Sequence, residues 1–238
     1  MDWAAFFTLH DDSPRGGPSD GDSLDWALAL AGVPADGAIC DAGCGPGADI
    51  AALLAHVPRG RVEAVDLHPH HAERATARFA DERRARVRQG DMGALTGPFD
   101  LIWSAGALHF LGVTEGLSRW RAALAPGGAV AFSEACWFTA TPSARARAFW
   151  DREYPRITDA AGIAAQVQAA GYAILGQRPL SDAAWEGYFQ PMERQIATLR
   201  PGASAAIADV LAAAEDEIAT WRACRAEYGY LLTVARPR

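Results

Sequence analysis

The sequence predicts a doubly wound α/β fold, a mostly parallel sheet with helices on both faces. Three observations carry that expectation. Residues 39–47, Ile-Cys-Asp-Ala-Gly-Cys-Gly-Pro-Gly, pass from a short apolar strand into a glycine-rich turn. Strands and helical segments then alternate through at least four units, the pattern of parallel strands joined by crossover helices. Asp41, Asp66, Asp91 and Ser104 each fall at the carboxyl end of a predicted strand, where such sheets bind their ligands.

Taken in order, residues 1–38 read as an N-terminal helical segment broken by a polar loop at 11–22. Ser23 is the expected N-cap of a helix over 24–31, and 32–37 form a turn. Strand one covers 39–42. Glycine turns with positive φ and admits a ligand close to the backbone, so Gly43, Gly45 and Gly47 form a cradle. Pro46, with φ already fixed, opens a helix over about 46–56. Strand 61–66, helix 69–82, strands 85–91 and 99–104, helix 113–124 and strand 129–134 complete the core. Helices over 142–152 and 159–170 and a strand over 172–179 follow. A largely helical stretch spans 181–226, and a last strand covers 228–234. Ile207, Val210, Leu211, Ala214, Ile218 and Trp221 recur at helical spacing, giving that stretch one apolar face.

The chain has 238 residues, half of them hydrophobic. That suits one elaborated domain over 1–238: an N-terminal segment 1–38, a ligand-binding core 39–135, and a C-terminal half 136–238. A net charge of −7 speaks against a polyanionic partner such as nucleic acid. Arg83, Arg84, Arg86 and Arg88 read as a solvated helix end. Cys40, Cys44, Cys136 and Cys224 fit neither a zinc site nor a CxxC pair. They are expected as reduced thiols in a cytoplasmic protein. The apolar start lacks the basic flank of a signal peptide. No run approaches the ~18 apolar residues of a membrane helix.

Asp41-Ala-Gly-Cys-Gly-Pro-Gly resembles motif I of the class I S-adenosylmethionine-dependent methyltransferases. Asp66 matches their ribose-binding acidic residue and Gly90-Asp91-Met92 their adenine-site step. Phe99-Asp100-Leu101-Ile102 resembles their fourth-strand motif, and Leu124-Ala125-Pro126-Gly127-Gly128 the turn before strand five. The resemblance covers about 37–135. It implies a Rossmann-like sheet with an antiparallel last strand. It also implies S-adenosylmethionine as cofactor and S-adenosylhomocysteine as product. Asp41, Gly43, Cys44, Gly45, Gly47, Asp66, Leu67, Asp91, Met92 and Ser104 are the residues expected to hold them. The chemistry agrees, since an ionised carboxylate can accept from both ribose hydroxyls. Gly43-x-Gly45-x-x-Ala48 also satisfies a dinucleotide fingerprint. Asp41, however, would set a negative charge beside a pyrophosphate.

A wider similarity, through Phe6-Phe7-x-Leu9-His10, Ser133-Glu134-x-x-Trp137-Phe138, Glu153-Tyr154-Pro155 and Trp185-x-x-Tyr188-Phe189, is to a bacterial and archaeal subfamily of small methyltransferases. That subfamily often carries Glu and Tyr where this chain has Ala105 and His109, and it implies no particular acceptor. A small organic molecule with an oxygen or nitrogen nucleophile is expected. His109, after strand four, is the candidate general base; the alternative is a loop histidine that only packs. Arg15, Trp137, Trp185 and Tyr188 are candidate acceptor-binding residues, with Phe138, Phe189 and Met192 beside them, under a lid formed by 181–226. His68, His70 and His71 cluster near the ribose site, and no metal is expected there. A non-catalytic cofactor-binding module, a protein methyltransferase and a nicotinamide-dependent oxidoreductase are the competing readings. A monomer or homodimer is expected, with neither nucleic acid nor membrane as partner.

Overall fold

The computed structural model describes residues 2–11 and 13–238. Asp12, in the loop expected at 11–22, lies outside them. The strands are β1 (Ala38–Ala42), β2 (Arg61–Asp66), β3 (Ala85–Gln89), β4 (Phe99–Ser104), β5 (Leu124–Trp137), β6 (Thr158–Asp159), β7 (Tyr172–Pro179) and β8 (Tyr228–Pro237). They form one sheet in the order β3-β2-β1-β4-β5-β8-β7, with β6 beside the end of β5. All pairings are parallel except those of β8, which runs antiparallel to both β5 and β7. The expected mostly parallel, Rossmann-like sheet with an antiparallel last strand is present.

Helices α1 (Trp3–His10) and α2 (Gly21–Ala31) precede the sheet. α3 (Ile50–His56), α4 (Pro69–Arg78), α5 (Val113–Trp120), α6 (Ala144–Glu153) and α7 (Ala160–Ala169) connect its strands. α8 (Asp182–Leu199) and α9 (Ala205–Cys224) occupy the stretch before β8. The central strands are apolar on both faces because helices cover both. Ile39, Leu101 and Trp103 enter one core, and their neighbours Cys40 and Ile102 enter the other. This is the period-two alternation of a doubly covered strand. Among the described residues, no helix is long and apolar enough to cross a membrane.

Three departures from the sequence expectations bear on the site. α3 begins at Ile50 and not at Pro46, because Gly47 (φ +80°) interrupts the helical path. Asp20, not Ser23, caps α2, accepting from the Ser23 amide at 2.7 Å. β3 ends at Gln89, which leaves Asp91 in the turn beyond it. The antiparallel β8 also has a positional consequence. Tyr228 pairs with Trp137 and Tyr230 with Ala135, so β8 begins beside the carboxyl end of β5.

Candidate active site

A cavity of about 590 Å³ opens at the carboxyl ends of β1, β4 and β5. The glycine turn forms one wall. The Val65 carbonyl accepts from both the Gly43 amide (2.8 Å) and the Cys44 amide (3.0 Å), tying the turn to β2. Gly43 has φ +77°, and a methyl group there would overlap Ala107. At Gly45 (φ +53°) a methyl group would meet only the Gly16 amide nitrogen, at 3.8 Å, so this residue leaves room for a guest. Asp66 accepts from the Gly45 amide on Oδ2 (2.8 Å). Its Oδ1 accepts from the His68 amide (2.9 Å) and faces His71 Nδ1 at 3.5 Å. Burial opposes its charge, but His71 and the two amides outweigh burial and hold its pKa below the usual carboxylate range. A diol would find one acceptor position on Oδ2, and a second on Oδ1 once His71 yields it.

Asp41 is 3% exposed, and its Oδ2 has no hydrogen-bond partner. Burial and the neighbouring Asp49 and Asp66 push its pKa well up. The chemistry of such a group is to receive a cation. Asp49 is already used, accepting from Arg15 at 3.0 Å and from the Trp103 indole at 3.0 Å. Leu67, 64% exposed, and the exposed Asp91 lie at the rim with Met92. Asp91 accepts from the Gly93 amide at 2.7 Å. α1 contributes Phe6, Phe7 and His10 to the wall, with Phe7 set edge-on to His68 and His71.

The other end is aromatic. Phe149 and Trp150 come from α6, Trp185 from α8, Trp221 from α9, and Tyr228 and Tyr230 from β8. Trp185 stacks on Trp221 with centroids 5.3 Å apart and meets Tyr230 at 5.0 Å. Trp150 and Tyr228 meet edge-on at 5.2 Å. Glu134 of β5 and Glu217 of α9 also face this end. Burial pushes the pKa of each up to about 7.

Residues 39–128 match the model of a family described as a methyltransferase domain. The match spans the glycine turn and the strands around it, so this stretch is similar to a methyltransferase domain. Solved structures share its fold over nearly their whole length. A methyltransferase from Geobacter sulfurreducens, in complex with S-adenosyl-L-homocysteine, is 16% identical with a TM-score of 0.83, covering 99% of this chain and 98% of its own. One from Thiobacillus denitrificans, with the same ligand, is 17% identical with a TM-score of 0.78, covering 98% of each chain. YjhP from E. coli is 15% identical with a TM-score of 0.83, covering 98% of this chain and 99% of its own. No curated protein matches the chain in sequence.

Most of the methyltransferase site residues expected from the sequence meet in the cavity. Asp41, Gly43, Cys44, Gly45, Asp66, Leu67, Asp91, Met92, Arg15, His109 and Trp185 all line it. Four do not. Gly47 turns its open side to Ile50, Ala75 and Phe79, where it lets α4 pack closely. Ser104 donates to the Ala42 carbonyl at 2.8 Å, spending its hydroxyl on joining β4 to β1. Trp137 sits outside, edge-on to Tyr228. Tyr188 is buried behind the wall with its hydroxyl 3.5 Å from His10 Nε2. His109 is present, but burial and Arg156 push its pKa down to about 4. It is neutral at physiological pH and a weak proton acceptor. Glu134, Glu217, Trp150, Tyr228 and Tyr230 escaped the sequence reading as site residues. Glu134 did carry a signal, since it ends the expected fifth strand as Asp41 and Asp66 end the first and second.

Proposed function

We propose that this chain transfers a methyl group from S-adenosylmethionine to a small organic acceptor held at the aromatic end of the cavity. One observation carries the reading: a single cavity runs from the glycine turn to the aromatic wall. Its volume, about 590 Å³, falls in the range of small-molecule sites, ~300–1,000 Å³. Bound S-adenosylmethionine would supply a methyl group on a cationic sulfur, open to in-line displacement. The residues suit its binding. Asp41 offers an unpaired carboxylate oxygen to a cation, Gly45 leaves space, and Asp66 offers an acceptor to the ribose. Leu67, Asp91 and Met92 form the rim for the base.

The chain's remaining work is orientation and exclusion of water. We read α8 and α9 as the lid, closing with α1 over the carboxyl ends of the strands. Enclosure on this scale fits a small molecule better than a protein segment, which needs an open groove. The same acidic surroundings disfavour a dinucleotide, whose pyrophosphate would meet Asp41 and Asp49.

Calorimetric titration of ligand-stripped protein tests the reading. Binding of S-adenosylmethionine and S-adenosylhomocysteine, with none of NAD, is expected. NAD binding alone would move the chemistry to hydride transfer. Asp66→Ala is expected to weaken S-adenosylhomocysteine by about ten- to a hundredfold, because a hydrogen bond to a charged group is worth ~1.5–3 kcal/mol. Unchanged affinity would remove Asp66 from the site.

A further inference from the structure

We propose that the acceptor is an amine, bound as its ammonium ion between Glu134 and Glu217 against the wall formed by Trp150, Trp185, Tyr228 and Tyr230. The proposal rests on the methyl-transfer reading and names the acceptor class for the same cavity.

The position follows from the sheet order. The residues assigned to the cofactor follow β3, β2 and β1, and β5 lies beyond β4 on the other side. Glu134 on β5 and the start of β8 are therefore placed away from the adenine and ribose end. Glu134 is 4% exposed, and neither of its carboxylate oxygens has a hydrogen-bond partner. Tyr154, the Ala135 amide and Arg156 favour its ionised form, but burial outweighs them. No described hydrogen bond reaches Glu217, which is half-buried and lies beside the exposed Glu153. The Tyr230 phenol is raised first by burial and then by the charges of Glu217 and Glu134, so both carboxylates act on one hydroxyl.

A carboxylate as buried as Glu134, with the half-buried Glu217 acting on the same phenol, is costly to ionise in the empty protein. A guest that supplies positive charge and N–H donors removes that cost. Aromatic faces add to it, since a cation within about 6 Å of a ring centroid is attracted by the ring quadrupole. The wider charge balance points the same way. Among the described residues, the cavity is lined by seven carboxylates (Asp41, Asp49, Asp66, Asp91, Glu134, Glu153 and Glu217) against the single guanidinium of Arg15. Arg15 is itself paired with Asp49. An anionic acceptor would meet like charge on the lining, and Arg156, whose charge reaches Glu134, is exposed and lies outside it. The Trp150 indole N–H and the Tyr228 hydroxyl, also buried without partners, can serve an uncharged oxygen on the same guest. They carry no charge that would draw an anion.

The step balances. The bound ammonium gives one proton to the Glu134 carboxylate, which passes it to water. The freed lone pair forms the N–C bond to the methyl carbon as the S–C bond breaks, and that bond's electron pair stays on sulfur. Nitrogen finishes with a positive charge, sulfur as a neutral thioether, and one proton is released. No oxidant, reductant or metal is required.

The test uses the full chain saturated with S-adenosylhomocysteine, titrated calorimetrically near neutral pH with matched amine, alcohol and carboxylate probes. Three carbon frames serve: n-butyl, cyclohexylmethyl and 2-phenylethyl. In at least one frame the amine is expected to bind about tenfold more tightly than its alcohol, with the carboxylate weakest. Glu134→Gln and Glu217→Gln each keep the side-chain size and are expected to erase most of that advantage while leaving S-adenosylhomocysteine affinity unchanged. If one variant fails to fold, the other carries the test. No amine preference in any frame, including no binding at all, overturns the proposal. So does a preference that survives substitution. Failure of the wild-type chain to bind S-adenosylhomocysteine strikes the underlying methyl-transfer reading instead.

Discussion

The two ends of the cavity are built on opposite plans. At the cofactor end, short local motifs at the ends of β1, β2 and β3 supply the walls, and their polar groups largely satisfy one another. Asp66 binds two backbone amides and a histidine, and Asp49 binds Arg15 and Trp103. At the acceptor end, the wall comes from β5, α6, α8, α9 and β8, and polar atoms of Glu134, Trp150 and Tyr228 are left without partners. The contrast fits a site in which one ligand is fixed by the fold and the other completes it. Asp41 is the exception at the cofactor end, and it faces the place where a cation is expected. Backbone turns can be pinned once and reused, whereas a specific acceptor needs side chains gathered from distant parts of the chain.

The largest expected effect comes from breaking the acceptor wall alone. Trp221 is fully enclosed and stacks on Trp185 while touching Phe189. Trp221→Ala is expected to cost about 3–5 kcal/mol of stability in urea unfolding, through lost burial and the void left behind. S-adenosylhomocysteine affinity of the folded fraction is expected to stay within about twofold, because well-separated sites behave nearly additively. A collapse of both quantities together would show that the two ends act as one unit. α1, which packs on α8 and α9 and also faces the ribose end, is the route by which that would happen.

A pH series on the empty protein sharpens the same contrast. Burial raises the folded-state pKa of Glu134 and Glu217 to about 7, above the unfolded carboxylate value. Each folded acid therefore prefers its proton more than the unfolded one does. Their contribution to stability is complete below the unfolded pKa and is lost as pH rises through the folded one. Between about pH 4.5 and 8 Glu134 is expected to withdraw at most about 3 kcal/mol of stability, a loss that His109, with its pKa lowered to about 4, opposes up to about pH 6.5, so the difference from Glu134→Gln isolates it. Denaturant melts of both chains at a range of pH read that difference. Asp66 has the opposite sign: its lowered pKa stabilises the fold above the usual carboxylate value and is lost only in more acidic solution. A difference between wild type and Glu134→Gln that stays flat from pH 5 to 8 would show that Glu134 withdraws no stability there.

The same division explains what the sequence disclosed. The parallel core was readable because each strand is a short apolar run ending in a charged or small residue, followed by a glycine or proline signal. Asp41, Gly43, Gly45 and Asp66 could be placed because they lie within a few residues of those signals. The start of α3 was misplaced because proline's fixed φ suits a tight turn as well as a helix, and Gly47 decides between them. Trp185 and Tyr188 have the same spacing to any sequence test, yet one faces the cavity and the other the core. That distinction depends on how α8 lies against β8 and α1. Glu134 was legible by position but was passed over, because nothing local reveals that its carboxylate is buried without a partner.

The smallest effect is the sharpest check on where the cofactor end stops. Ser104 satisfies the strand-end rule as well as Asp41 does, but its hydroxyl donates to the Ala42 carbonyl at 2.8 Å and it is fully buried between β1 and β4. Ser104→Ala is therefore expected to cost about 1 kcal/mol of stability, the usual worth of one internal hydrogen bond. S-adenosylhomocysteine affinity should not change measurably by calorimetry. A tenfold loss of affinity with stability intact would mean that the hydroxyl turns to the ligand on binding. The strand-end rule would then extend to β4, as proposed for β1 and β2. Stability loss without affinity loss would place the boundary of the site at the glycine turn and Ala105, with Ser104 serving only to hold the two strands that carry them.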